Sequence, residues 1–179
     1  IKYEIYDINK IYDIVIQYDS RILRHIPETH PRLYEYYIIG VRLSPHALQN
    51  IRNHNIPIIN ELYKLDFQKH DKYLSVIVNH DVPAIGELYM KAIKFFIHQF
   101  NKIKNHNVDN INDIYKYILD TDLKYISENL FRIKNHSVPI IKNIYKSSIL
   151  NDLFNIKYIK NYSIISKQEL DEYIESHLR

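Results

Sequence analysis

The side chains in this 179-residue sequence best suited to chemistry are its ten histidines, and four of them recur in one setting. His54, His80, His106 and His136 each follow an asparagine, in "NHNIPIINELY", "NHDVPAIGELY", "NHNVDNINDIY" and "NHSVPIIKNIY". Imidazoles in series raise the question of a metal site. Zinc wants ligands a few residues apart, such as two histidines at i and i+4 with a carboxylate nearby. No histidine pair has that spacing on a helix; His25 and His30 stand five apart around Pro27. The repeated histidines fall 26, 26 and 30 residues apart. Stacked units would separate them by about 10 Å, too far to share one ion. Nucleophilic catalysis has no better footing, because the chain lacks cysteine and shows no Gly-x-Ser-x-Gly. Two glycines leave no Gly-rich phosphate loop. "RHIPETH" (24–30) has the Arg-then-His spacing of some helical ribonucleases, yet Pro27 breaks the helix that spacing would need. The sequence predicts no catalytic residue, no metal and no cofactor.

The Asn-His pair makes more sense as a marker of position. Apolar residues keep fixed offsets from each histidine. Ile51, Ile77, Ile103 and Ile133 stand three before it, and Leu48, Leu74, Phe100 and Leu130 six before it. Ile59, Ile85, Ile111 and Ile141 stand five after it; Leu62, Leu88, Ile114 and Ile144 follow at eight, then always a tyrosine. Offsets in threes are helical. Each unit therefore reads as helix A, a turn at the Asn-His pair, and helix B. Asn55, Asp81, Asn107 and Ser137 are the expected N-caps of helix B. Pro57, Pro83 and Pro139 would sit in its first turn, with Asp109 in the remaining copy facing the positive end of the helix dipole. With glycine so scarce, Asn53, His54, Asn79, His80, Asn105, His106, Asn135 and His136 are the expected structural turn, ending helix A in the left-handed region.

The pattern fades outward. "DINKIY" (7–12) matches the end of helix B, with Ile8, Ile11 and Tyr12 in register, and "IKNYSII" (159–165) matches the turn, with Tyr162 standing 26 residues after His136. "SKQE" reads as a capping box opening a last helix to about His177. Between Tyr12 and His54 there is room for one irregular unit whose register the pattern does not set. The expectation is one all-α domain over 1–179, with clear repeats at about 41–150 and degenerate end units at 1–40 and 151–179. The missing initial methionine suggests a piece of a longer chain. Abundant Ile, Tyr, Asn and Lys suggest an AT-rich genome, such as that of a large DNA virus or an intracellular bacterium. Absent cysteine fits the cytoplasm, the host's in either case. No apolar run approaches the roughly 20 residues of a membrane span.

A helix pair whose second helix opens polar-apolar-acidic-apolar-apolar resembles the ankyrin repeat. Asn55-Ile56-Pro57-Ile58-Ile59 lies against that opening, His54 against the usual turn glycine, and Ser44-Pro45 against the Thr-Pro start displaced by one. The likeness covers about residues 40–165. Ankyrin units run to 33 residues with a β-hairpin; a period of 26 has little room for one. The resemblance implies a shortened ankyrin-like α-solenoid of tandem helix-turn-helix repeats, a non-catalytic scaffold that binds another protein, a host factor in the viral or intracellular-bacterial case, through its concave face.

Two stripes could serve that role. Arg52, Lys104 and Lys134, with Val78 in the second copy, stand two before each histidine. They read as a partner-binding ridge for an acidic surface, or as solvated cations near helix C-termini. Tyr63, Tyr89, Tyr115 and Tyr145 read as interface residues, or as core tyrosines with the hydroxyl at the rim. The alternative function is RNA binding by the basic stripe. Against it, 24 basic residues are nearly offset by 21 acidic ones.

Overall fold

The computed structural model describes residues 7–177; the outer ends of both end units, 1–6 and 178–179, lie outside them. The described residues form α-helices and short 3-10 helices, with no strand. The α-helices are α1 (Ile8–Val15), α2 (Leu33–Leu43), α3 (Ile59–Lys69), α4 (Ile85–Phe95), α5 (Ile111–Thr121), α6 (Leu123–Glu128), α7 (Ile141–Asn151) and α8 (Lys167–His177). None is long and apolar enough to cross a membrane. The chain divides into two compact units, Ile1–Leu88 and Tyr89–Arg179.

Helix B of each repeat is present as expected. The starts of α1, α2, α3, α4, α5, α7 and α8 follow one another by 25, 26, 26, 26, 30 and 26 residues. Where the burial is clearest, the inward positions are i, i+3, i+4 and i+7: Ile59, Leu62, Tyr63 and Asp66 in α3, and Ile111, Ile114, Tyr115 and Ile118 in α5. This is the apolar stripe of an amphipathic helix. The irregular stretch before His54 is a regular unit after all. Leu33, Tyr36, Tyr37 and Gly40 of α2 take the same four positions, and Glu28 stands where the others carry histidine. Gly40 is small for a reason, since a Cβ there would stand 2.8 Å from Leu23 Cδ1. The 30-residue step accommodates α6, which has no counterpart in the other units.

Helix A is not an α-helix in the first copies; it is a 3-10 helix at Ser20–His25, Ala47–Asn50, Leu74–Val76 and Ile97–Lys102, then at Leu130–Arg132 and Leu153–Tyr158. Apolar residues at −3 and −6 match the 3.0-residue turn of that helix, with one buried face. Each of the last five ends on an isoleucine in extended conformation, Ile51, Ile77, Ile103, Ile133 or Ile159.

The expected left-handed corner does not occur. Among the described residues no non-glycine has positive φ. The asparagine instead folds an Asx turn: Asn53, Asn79, Asn105, Asn135 and Asn161 accept through Oδ1 from the amide two residues on, at 2.8–3.1 Å. Asn55, Asp81, Asn107 and Ser137 do not cap helix B, which begins four residues later; in α3, α5 and α7 the cap position falls to Ile58, Asn110 and Ile140, none of which makes a side-chain cap bond. The prolines sit in the turn leading into it, closed by Ile59 N–H to Ile56 O and its equivalents at 3.0–3.1 Å. In two units the free amide ahead of helix B is taken by the preceding unit, Ala84 N–H by Asn60 Oδ1 and Ile140 N–H by Asn112 Oδ1. At α8, Ser166 Oγ accepts the Glu169 amide at 3.1 Å, while the Glu169 carboxylate meets Lys142 and Lys146 rather than closing the capping box.

Candidate functional site

The histidine and the tyrosine nine residues on form one device. Tyr63, Tyr115 and Tyr145 are fully buried, so their hydroxyls are not at the rim. Each lies 2.6–2.7 Å from the Nδ1 of His54, His106 or His136. Each also reaches forward to the next turn. Tyr63 Oη accepts the amides of Val78 and Asn79 at 3.1 and 3.0 Å. Tyr89 accepts those of Lys104 and Asn105, and Tyr145 that of Lys160 at 3.2 Å. Tyr115 serves Lys134 and Asn135 in the same way.

An oxygen that accepts two N–H groups has its own proton left to give, so the hydroxyl donates to Nδ1. That fixes the imidazole proton on Nε2, which at His136 donates to Ile133 O at 2.8 Å. The equivalent carbonyls are Ile51 for His54 and Ile103 for His106. Desolvation holds all three histidines below the usual imidazole range, His106 down to about 4, with the Lys134 cation facing it as a second cause. They are neutral at pH 7. Desolvation pushes the tyrosine phenols up. Asparagine side chains add to the tie between turns: Asn79 Nδ2 donates to His54 O, and Asn161 Nδ2 to His136 O. The Asn-His turns are thus tied to the turn of the following repeat, within 1–88 at His54 and Asn79 and within 89–179 at His136 and Asn161.

This relay holds the backbone at the lysines of the basic stripe, Lys104 by Tyr89 and Lys134 by Tyr115. Arg52, Lys104 and Lys134 are all exposed. Lys104 and Lys134 lie in the second unit, each on a turn whose amide is held by a tyrosine. Arg52 lies in the first unit, where the next copy carries exposed Val78. A fourth cation, Lys160, takes the same position 26 residues after Lys134 and was legible from the Tyr162 spacing. Lys160 faces His136 as Lys134 faces His106.

The turns of the second unit hold more positive charge than the single stripe. "NKIKNHN" (101–107), "FRIKNHS" (131–137) and "KYIKNYS" (157–163) contain no carboxylate. In each, two cations flank or precede a buried isoleucine and are exposed: Lys102 and Lys104, Arg132 and Lys134, Lys157 and Lys160. None of the six makes an ion pair among the described residues. Arg132 lies over Phe131 and donates to Asn129 Oδ1, and Lys157 lies over Tyr158. Residues 89–179 carry 14 Lys and Arg against 10 Asp and Glu, and residues 1–88 carry 10 against 11. The chain's positive balance therefore belongs to the second unit.

One buried group has no such explanation. Asp66 fills the i+7 position of α3, where α4 has Ala92, α5 Ile118 and α7 Ser148. Its side chain is 1% exposed and Oδ1 has no hydrogen-bond partner. Desolvation raises its carboxyl to about 6, opposed by the charge of His70.

Comparisons of the chain with protein-family models, curated proteins and solved structures gave no match.

Proposed function

We propose that the protein is a non-catalytic scaffold that binds an acidic partner protein along the three basic turns of its second unit. The observation that carries this is the set of six exposed cations on consecutive equivalent turns, none in an ion pair among the described residues. Charges not neutralised by an internal carboxylate attract a complementary surface and steer its approach. We take the chain to be a shortened, ankyrin-like α-solenoid, working in the cytoplasm, whose partner would be a host protein if its source is a virus or an intracellular bacterium. The backbone interlock between successive turns supports such a stack.

RNA is the competing ligand, favoured by the rings of Phe131 and Tyr158, which lie 5.9 Å apart beside Arg132 and Lys157. The deciding experiment is affinity capture from lysate with the purified chain, with and without nuclease, beside a Lys104→Glu/Lys134→Glu/Lys160→Glu variant. A discrete protein that survives nuclease and is lost with the variant supports the scaffold. Capture that vanishes with nuclease replaces it with RNA binding.

A further inference from the structure

The geometry of the three turns points to a more specific ligand: we infer that the partner's contact is an unstructured acidic segment, bound as a polyproline II helix with Asp or Glu at every third residue. This rests on the scaffold reading above. The cations are not scattered. They occur on equivalent turns, each set by a buried isoleucine whose extended backbone aims it inward and leaves its neighbours outside, Ile103, Ile133 and Ile159. Tyrosine hydroxyls pin the amides of Lys104, Lys134 and Lys160 to the preceding unit. The step from one lysine to the next is therefore set by the backbone; the Lys104–Lys134 step contains α6, yet Asn135 Nδ2 still reaches Asn107 Oδ1 at 3.3 Å, so those two turns are neighbours as well. Adjacent helical units are spaced about 8–10 Å.

A ligand must present charge at the same interval on one face. A polyproline II helix turns once every three residues and rises about 9.3 Å in doing so, so positions i, i+3 and i+6 align with the step. A β-strand places i and i+3 on opposite faces, and an α-helix covers the same rise in about six residues, which leaves the two side chains about 120° apart around its axis. Acidic segments that cannot bury enough apolar surface favour this extended state.

The turns offer little besides charge. Asn105, Asn135 and Asn161 spend their Oδ1 on the Asx turn, and Asn135 and Asn161 also donate to the preceding turn. Recognition would then read the spacing of carboxylates and not the residues between them. Stacked bases fit less well. The first turn has Asn101 and Lys102 where the later two carry a ring, Phe131 and Tyr158 occupy different positions in their turns, and each ring already has a cation over it.

The test uses three labelled probes and the full chain at low salt: a peptide repeating Glu-Pro-Pro three times, a peptide of the same composition with its glutamates contiguous, and an oligouridylate. Fluorescence anisotropy should show the spaced peptide binding at least about fivefold tighter than the contiguous one. The triple Lys→Glu variant should lose that binding by about tenfold or more. The variant's thermal midpoint and circular dichroism confirm that it folds, and a triple Lys→Gln variant, which removes charge without reversing it, should show an intermediate loss. Equal affinity for both peptides overturns the spacing, and so does tighter binding of the oligonucleotide. These failures differ from failure of the scaffold reading, which would appear as no nuclease-resistant protein, or as one captured equally by the variant.

Discussion

At the residue scale the tyrosine–histidine relay makes sharp demands. Removing the Tyr115 hydroxyl leaves the amides of Lys134 and Asn135 and the Nδ1 of His106 without their shared partner, in a site closed to water. Tyr115→Phe should therefore cost about 2–4 kcal/mol in chemical denaturation. A loss below roughly 0.5 kcal/mol would mean the relay contributes packing alone. The relay also titrates. His106 is lowered in the fold from 6.5 to about 4. Its contribution is complete above pH 6.5 and is lost as pH falls toward 4, a change on the order of 3 kcal/mol. His54 and His136 shift in the same direction. Asp66 has the opposite sign. Its folded value of about 6 lies above its ordinary 3.8, so its penalty is absent below about pH 4 and complete above about pH 6. Asp66→Ala, which copies Ala92, should stabilise the protein by up to about 3 kcal/mol at pH 7 and have little effect below pH 4. A gain independent of pH would trace to packing instead. The relay was half legible in sequence: the recurring tyrosine stood out, but nine residues of separation do not show which way a hydroxyl points.

At the element scale the sequence located helix B after each Asn-His pair, missed the one at α2, and misread what precedes helix B. Offsets of −3 and −6 predict a helix without setting its type within an all-α reading, and the strict period of three is the 3-10 signature. Asn55 and its equivalents have cap-forming side chains, but the turn closed by Ile59 N–H to Ile56 O and its equivalents moves the start of helix B four residues on, out of their reach. The unit at α2 escaped detection because the histidine was the anchor, and that unit carries Glu28. Asp109 offers a direct check on the turn. It takes the place of Pro57, Pro83 and Pro139, follows a valine as Pro83 and Pro139 do, and sits in a turn closed by Ile111 N–H to Val108 O. Asp109→Pro should raise stability by about 0.5–1 kcal/mol by restricting the unfolded chain. A lowered thermal midpoint would show that the Asp109 turn differs from the other three.

At the scale of the whole molecule, charge is divided unevenly along the chain, and binding should follow that division. Affinity for an acidic ligand should fall steeply as ionic strength rises, since exposed charges are screened beyond about 10 Å at 0.1 M salt. Arg52→Ala should change it little, because its neighbouring copy offers Val78, whereas Lys134→Ala should weaken it several-fold. A titration in which Arg52 matters as much as Lys134 would move the binding surface away from the second unit. The relay itself grips only main chain at its outer ends, amides on one side and a carbonyl on the other. Tyr63 holds the amide of Val78 just as Tyr89 holds that of Lys104. Selection can therefore rewrite the outward-facing side chains of these turns, from valine to lysine or to anything else, without renegotiating the fold beneath them. A lineage under pressure to change partners would have a surface free to drift over a foundation that stays put.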